Sequence, residues 1–263
     1  MKNDHSISTS HFIGATTMNQ LISRGHLKSR NLLAFVVAVD IVFIVIYILR
    51  WFKSVPFLGY WRFSLANDWG FPEIFQYCQE LIIIGLLVAL FVHYRNIVYL
   101  AWIAIFTFVI LDDSMKFHEY AGTWIGNNLA IQPMFGIRIV DIGELIFLGL
   151  VGLVCLSLLA TGYYLSTPMH RKISMRLIGL MFVFALCGGA FDSIHEMVHN
   201  NPVLTLIFGI AEDGGEMLVM SVIVWYTFRL VFPQTMTTAE SSKPIEPLSS
   251  EAPSVFVPNT RVF

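Results

Sequence analysis

Asp192, His195, Glu196 and His199 fall on one narrow stripe if their segment is helical, because a helix advances about 100° per residue. They lie in Phe191-Asp192-Ser193-Ile194-His195-Glu196-Met197-Val198-His199, which closes a long apolar run. Ionisable groups are costly in such a place and mark function by default. His195-x-x-x-His199 sets two imidazoles one turn apart, the spacing of helical zinc motifs. With His118 they supply three nitrogen ligands and leave an open position for water. Asp192, Glu119, Glu144 and Glu216 are candidate further ligands. In a zinc-dependent hydrolysis Asp141 or Glu196 would orient the attacking water, and Ser114 or Ser193 would stabilise developing charge. A second arrangement uses Glu196-x-x-His199 with Glu119, Glu144 and Glu216 as a dinuclear iron or manganese site. Four-helix di-iron proteins use two Glu plus two Glu-x-x-His motifs, and this chain has that spacing once.

These residues need a scaffold that puts them at one depth. The chain has 263 residues, 56% hydrophobic and 13% charged, with mean hydropathy +0.69. Soluble domains carry about 25% charged residues, so the composition predicts an all-α integral membrane protein. Cys78, Cys155 and Cys187 stand singly in apolar segments, so no disulfide framework or Cys-x-x-Cys metal motif is expected. No basic face for nucleic acid is present.

The chain divides into a polar cytoplasmic segment 1–30, a membrane domain 31–231 and a disordered cytoplasmic tail 232–263 rich in Ser, Thr and Pro. Six spans are expected, at 31–51, 71–95, 97–120, 137–164, 173–199 and 203–231. Lys and Arg gather on the side of the two termini, so the positive-inside rule puts both in the cytoplasm of an inner or plasma membrane. Of the 18 acids, 13 then lie on the outer half. That half is expected to trap cations.

Two hairpins, 97–164 and 173–231, read as an internal duplication. The first gives Asp113-Ser114, His118-Glu119, Phe135-Gly136-Ile137 and Asp141-Ile142-Gly143-Glu144. The second gives Asp192-Ser193, His195-Glu196, Phe208-Gly209-Ile210 and Asp213-Gly214-Gly215-Glu216. Repeats of this kind place equivalent helix ends at one membrane depth. Glu73, Gln76 and Glu80 share one face of the second span and add a fifth contributor. The glycines beside Glu144 and Glu216 allow close helix approach.

Two other functions compete. Acid and histidine chains form proton or cation pathways, for which Asp40 is the clear polar group of the inner half. The bland alternative is a scaffold in which the acids make an interhelical hydrogen-bond network, Asp112 pairs with Lys116 at i, i+4, and Trp and Tyr anchor the interfaces.

On Phe71-Pro72-Glu73, Phe75-Gln76-Tyr77, Asp112-Asp113-Ser114 and His118-Glu119, the chain resembles bacterial multi-span membrane proteins of uncharacterised function. On Ser114-x-x-x-His118, Asp141 and His195-x-x-x-His199, it resembles in fragments the alkaline-ceramidase-type membrane hydrolases. That resemblance implies zinc and a lipid substrate. The chain differs from that family in having six spans rather than seven and in carrying its His-x-x-x-His before the last span. The expectation is an outward-facing metal site, zinc first and iron or manganese second, that hydrolyses a lipid-like substrate drawn from the bilayer.

Overall fold

The structure is a computed structural model, and it describes residues 7–52, 60–129 and 138–232, with side chains from Ser29 onward. The expected tail and most of the expected N-terminal segment lie outside the described side chains. The described residues hold helices and turns with no strand. In order they are α1 (Ile7–Trp51), α2 (Phe71–Tyr94), α3 (Ile97–Met115), α4 (Phe117–Asn128), α5 (Ile139–Tyr164), α6 (Pro168–Ala185), α7 (Asp192–Val198), α8 (Pro202–Gly209) and α9 (Gly215–Val231). Five segments are long and apolar enough to cross a membrane: Ser29–Trp51, Phe71–Tyr94, Ile97–Met115, Ile139–Tyr164 and Pro168–His195. The expected sixth, 203–231, is not among them. It is broken into α8, a π segment and α9, and carries Glu212, Asp213 and Glu216 at the break.

Local chemistry sets the boundaries. Gly70 is extended before α2, and Pro72 sits in the first turn, where a missing N–H costs nothing. Arg95 ends α2 in the left-handed region at φ 51°, and the Asn96 side chain then caps α3 by accepting from the Val98 N–H. Lys116, at φ 57°, ends α3 four residues before the expected limit of that span and starts α4 in a new direction. Two π segments, 186–191 between α6 and α7 and 210–214 between α8 and α9, interrupt the second hairpin. Glycines 188, 189, 209 and 214 lie in or beside them, and such widened turns recur at functional sites.

The tight packing lies where α2, α3, α6 and α9 meet, away from the acidic helix ends. Ile83, Leu87, Leu90, Val98, Trp102, Phe106, Leu177, Met220, Ile223 and Val224 are buried there. Lipid is as apolar as leucine, so packing and interhelical hydrogen bonds hold such helices together, the bonds contributing about 0.6 kcal/mol each. Trp102 Nε1 donates to Ser174 Oγ at 3.0 Å, and the Tyr99 hydroxyl meets His170 Nδ1 at 2.9 Å. On α5, Leu150, Leu153, Val154 and Leu156 are exposed, which suits a lipid-facing surface.

Candidate functional site

Two histidines stand in two separate carboxylate pairs. His118 begins α4 just past the Lys116 bend. Asp112 Oδ1 accepts the His118 backbone N–H at 2.9 Å, and Asp112 Oδ2 meets its ring Nδ1 at 3.1 Å. That bond outweighs burial and raises the His118 pKa above its ordinary value. Asp112 is therefore not the partner of Lys116, as i, i+4 spacing suggested. The left-handed turn at Lys116 swings its Nζ instead to Asp68 at 2.5 Å and Glu119 at 3.0 Å. Burial pulls the Lys116 pKa down, but these two hydrogen bonds reverse the effect and leave it raised.

The second pair is His195 Nδ1 with Glu212 Oε2 at 2.7 Å, joining α7 to the π segment at 210–214. In both rings the carboxylate holds Nδ1, which directs Nε2 away from the pair.

Between the pairs lie carboxylates with spare oxygens. Glu80 is fully buried, and neither of its oxygens has a well-aligned hydrogen bond, although it abuts Asp113. Asp113 Oδ2 and Asp213 Oδ2 are also enclosed without partners. Asp113 lies within electrostatic reach of His118, and Asp213 of His195. Glu216 feels both Asp113 and Asp213, and accepts from Gln76 Nε2 at 3.4 Å. The neighbourhoods run His118, Asp113 and Glu80 on one flank, Glu216 between, and Asp213 and His195 on the other.

Close backbone approach makes this possible. A Cβ at Gly188 would lie 1.9 Å from Glu216 Oε1, and one at Gly215 would lie 2.8 Å from Cys187 Sγ. In the first hairpin a Cβ at Gly143 would lie 2.2 Å from the Gly122 carbonyl oxygen. The two glycines preceding Glu144 and Glu216 thus act as expected.

The remaining expected site residues are placed elsewhere. Glu119 is exposed and held by Lys116. Asp141 faces Arg138, whose Nε and terminal nitrogen donate to it at 2.9–3.1 Å, and it closes the first turn of α5. Glu144 is half-buried against Gly122, within reach of His118 and Asp192. Ser114 and Ser193 both turn back to their own helices, donating to the carbonyls of Ile110 at 2.6 Å and Gly189 at 2.8 Å. Asp192 opens α7, and His199 is exposed just past its end. Glu196 is on α7, and its side chain lies outside the described residues.

Asp112, Asp113, Glu212 and Asp213 were not among the expected ligands, and Glu80 was expected only as a contribution from the second span, yet these five dominate the site. The signal available in sequence was the pair of acid doublets, Asp112-Asp113 and Glu212-Asp213. In each, the first acid holds a histidine and the second faces the buried cluster. Among the described residues no three His, Cys, Asp or Glu stand close enough together to hold a metal ion as they are.

Residues 74–232 match a family described as a domain of unknown function (DUF8692), and since they make up more than half of the chain, the chain belongs to it. No curated protein and no solved structure matches the chain.

Proposed function

We propose that this DUF8692 member is a metal-dependent integral membrane enzyme whose centre comprises two carboxylate–histidine half-sites joined at Glu216. The observation that carries the reading is the shared posture of His118 and His195. A metal-ligating histidine almost always has its other ring nitrogen held by a carboxylate or carbonyl, and both rings are held that way. The ligands would be His118, Asp113 and Glu80 in one half-site, His195 and Asp213 in the other, and Glu216 bridging. Crowded buried carboxylates whose oxygens lack well-aligned hydrogen bonds are the costly feature that a bound cation would relieve.

Two imidazoles and four carboxylates make the ligand set of dinuclear iron and manganese proteins more nearly than that of a three-histidine zinc site. His199, exposed beyond α7, is the member of the zinc triad that this reading leaves out. Metal binding would draw the half-sites together by side-chain rotation. Divalent ions held by these residues would supply Lewis acidity and activate water, chemistry that suits hydrolysis of a lipid-like substrate. The tightly packed apolar layer beneath the acids favours a dead-end centre over a cation path. In this reading 202–231 is the sixth crossing, the hairpins are duplicates, and the centre faces outward with both termini cytoplasmic.

Elemental analysis of detergent-purified protein, loaded with Fe²⁺ or Mn²⁺ and desalted, tests the reading. About two metals per chain are expected, falling to fewer than one in His118→Ala/His195→Ala. A folded wild-type protein that retains no metal would sink it.

A further inference from the structure

Tyr47 lies on α1, one turn before the end of that helix at Trp51. A tyrosine near the end of a membrane span is ordinarily an interface anchor facing the headgroups. This ring instead turns inward, 8% exposed, and packs with Leu65 of the segment between α1 and α2 and with Met217 of α9. Met217 follows Glu216 in the chain, so the ring stands beside the candidate centre. Gly209 shows where its hydroxyl ends. A Cβ on Gly209 would lie 3.1 Å from the Tyr47 hydroxyl oxygen, 3.4 Å from His195 Cε1 and 3.7 Å from His195 Nε2. The hydroxyl and the edge of the imidazole that points away from Glu212 therefore open on one small space above the Gly209 backbone. Glu212 and Asp213 are both within electrostatic reach of the same phenol.

A buried tyrosine usually pairs its hydroxyl. Among the described residues the Tyr47 hydroxyl makes no hydrogen bond. Tyr77, which stands near Asp113 and Glu80 on the other flank, differs, since it donates to Glu73 Oε1 at 2.5 Å. The half-sites are unequal in a second way. His118, Asp113 and Glu80 serve one, but only His195 and Asp213 serve the other, with Glu216 between them. We propose, resting on the metal-dependent reading above, that Tyr47 is the further ligand of the His195 half-site and binds the metal through its phenolate oxygen. Ligation forms one oxygen–metal bond and releases the phenolic proton to solvent, as a bound cation also strips the proton from a coordinating thiol. Phenolate is a hard anionic donor that iron accepts, as in tyrosine-ligated haem. Gly209 makes the room, because any side chain there would enter the space that the hydroxyl and Nε2 share.

The test is the colour of the iron-loaded protein. The full chain in detergent is loaded with Fe²⁺, desalted and oxidised in air, and bound iron and visible absorption are measured on the same sample. Phenolate on Fe³⁺ gives a strong ligand-to-metal charge-transfer band in the visible, with tyrosine ring modes in its resonance Raman spectrum. Imidazole and carboxylate ligands give neither. Wild type and Tyr77→Phe are expected to show the band. Tyr47→Phe, which keeps the ring and its packing, is expected to retain iron and lose the band. Tyr47→His, which puts a nitrogen ligand in place of the phenolate, is expected to do the same. Iron-loaded wild type without the band would overturn the assignment of Tyr47 and leave the metal reading standing, as would a band that survives in either iron-loaded Tyr47 variant. Loss of all iron from both Tyr47 variants, with iron kept in His195→Ala, would also overturn it, since the tyrosine would then support the whole bundle rather than one half-site. Wild-type protein that takes up no iron would end the metal reading, and the tyrosine ligand with it.

Discussion

The two histidine pairs look alike at the atoms and are built in opposite ways. Asp112 and His118 are six residues apart and meet because the chain bends once, at Lys116. Glu212 and His195 are 17 residues apart and meet only if α7 and α8 fold against each other and the π turn at 210–214 keeps its extra residue. In the first pair the carboxylate has a second duty, since Asp112 also accepts the His118 backbone N–H and so caps α4. The same posture of an imidazole can be encoded by a local turn or by tertiary packing, and the two should fail differently.

The largest difference is expected at the glycines beneath them. Gly143→Ala drives a methyl into the Gly122 carbonyl, 2.2 Å away, and a backbone atom cannot step aside. A cost of about 3 kcal/mol is expected, read as a lowered unfolding midpoint in detergent or as loss of folded protein. Gly215→Ala meets only the Cys187 sulfur at 2.8 Å, the end of a side chain that can rotate. It should cost about 1 kcal/mol. Equal losses at the two positions would mean that the second hairpin is as rigidly packed as the first, and the contrast between local and tertiary construction would fail.

Next in size is removal of the carboxylates that hold the rings. Asp112→Ala deletes a helix cap as well as a ring partner and should lower stability by about 1–2 kcal/mol. Glu212→Ala should lower it by about 1 kcal/mol and release the His195 ring. Hydrogen exchange would separate the two. Asp112→Ala should speed exchange in the first turn of α4, and Glu212→Ala should leave backbone protection in α7 close to wild type. Equal loosening at both places would remove the distinction.

Legibility in the sequence follows the same division. Local signals were readable: Pro72 marks a helix start, and five of the six expected apolar runs are membrane-long helices. Gly143 and Gly215 identified themselves by standing before Glu144 and Glu216. The His118–Asp112 contact was within reach but was hidden by the competing i, i+4 pattern of Asp112 and Lys116, since nothing in the residue types announces a left-handed lysine. The stripe at 192–199 drew attention to Glu196 and His199 as well as His195, whereas the partner of His195 came from Glu212, across two turns and a π segment. Helical periodicity relates residues on one element, so it could not find a pair that tertiary packing makes. The serines misled for a simpler reason. A helical serine can satisfy its hydroxyl on the carbonyl one turn back, and both Ser114 and Ser193 do so.

The smallest expected effect concerns pH, and it belongs to the local pair. The His118 pKa is raised, first by its hydrogen bond to Asp112, against the opposing effect of burial. A histidine whose folded value exceeds its unfolded one binds its proton more tightly in the folded state. Its contribution is therefore fully present below the ordinary histidine value, near pH 6.5, and is lost as pH rises through the raised folded value. His118 is only partly enclosed, with 28% of its side chain exposed, so the gain should stay under about 1 kcal/mol. Unfolding midpoints taken from pH 6 to 9 with divalent metal chelated should fall slightly more for wild type than for His118→Gln, which keeps a hydrogen-bonding side chain but cannot titrate. If the two curves run parallel, the Asp112 carboxylate serves the backbone of α4 alone, and the first pair is a helix cap rather than a counterpart of the second.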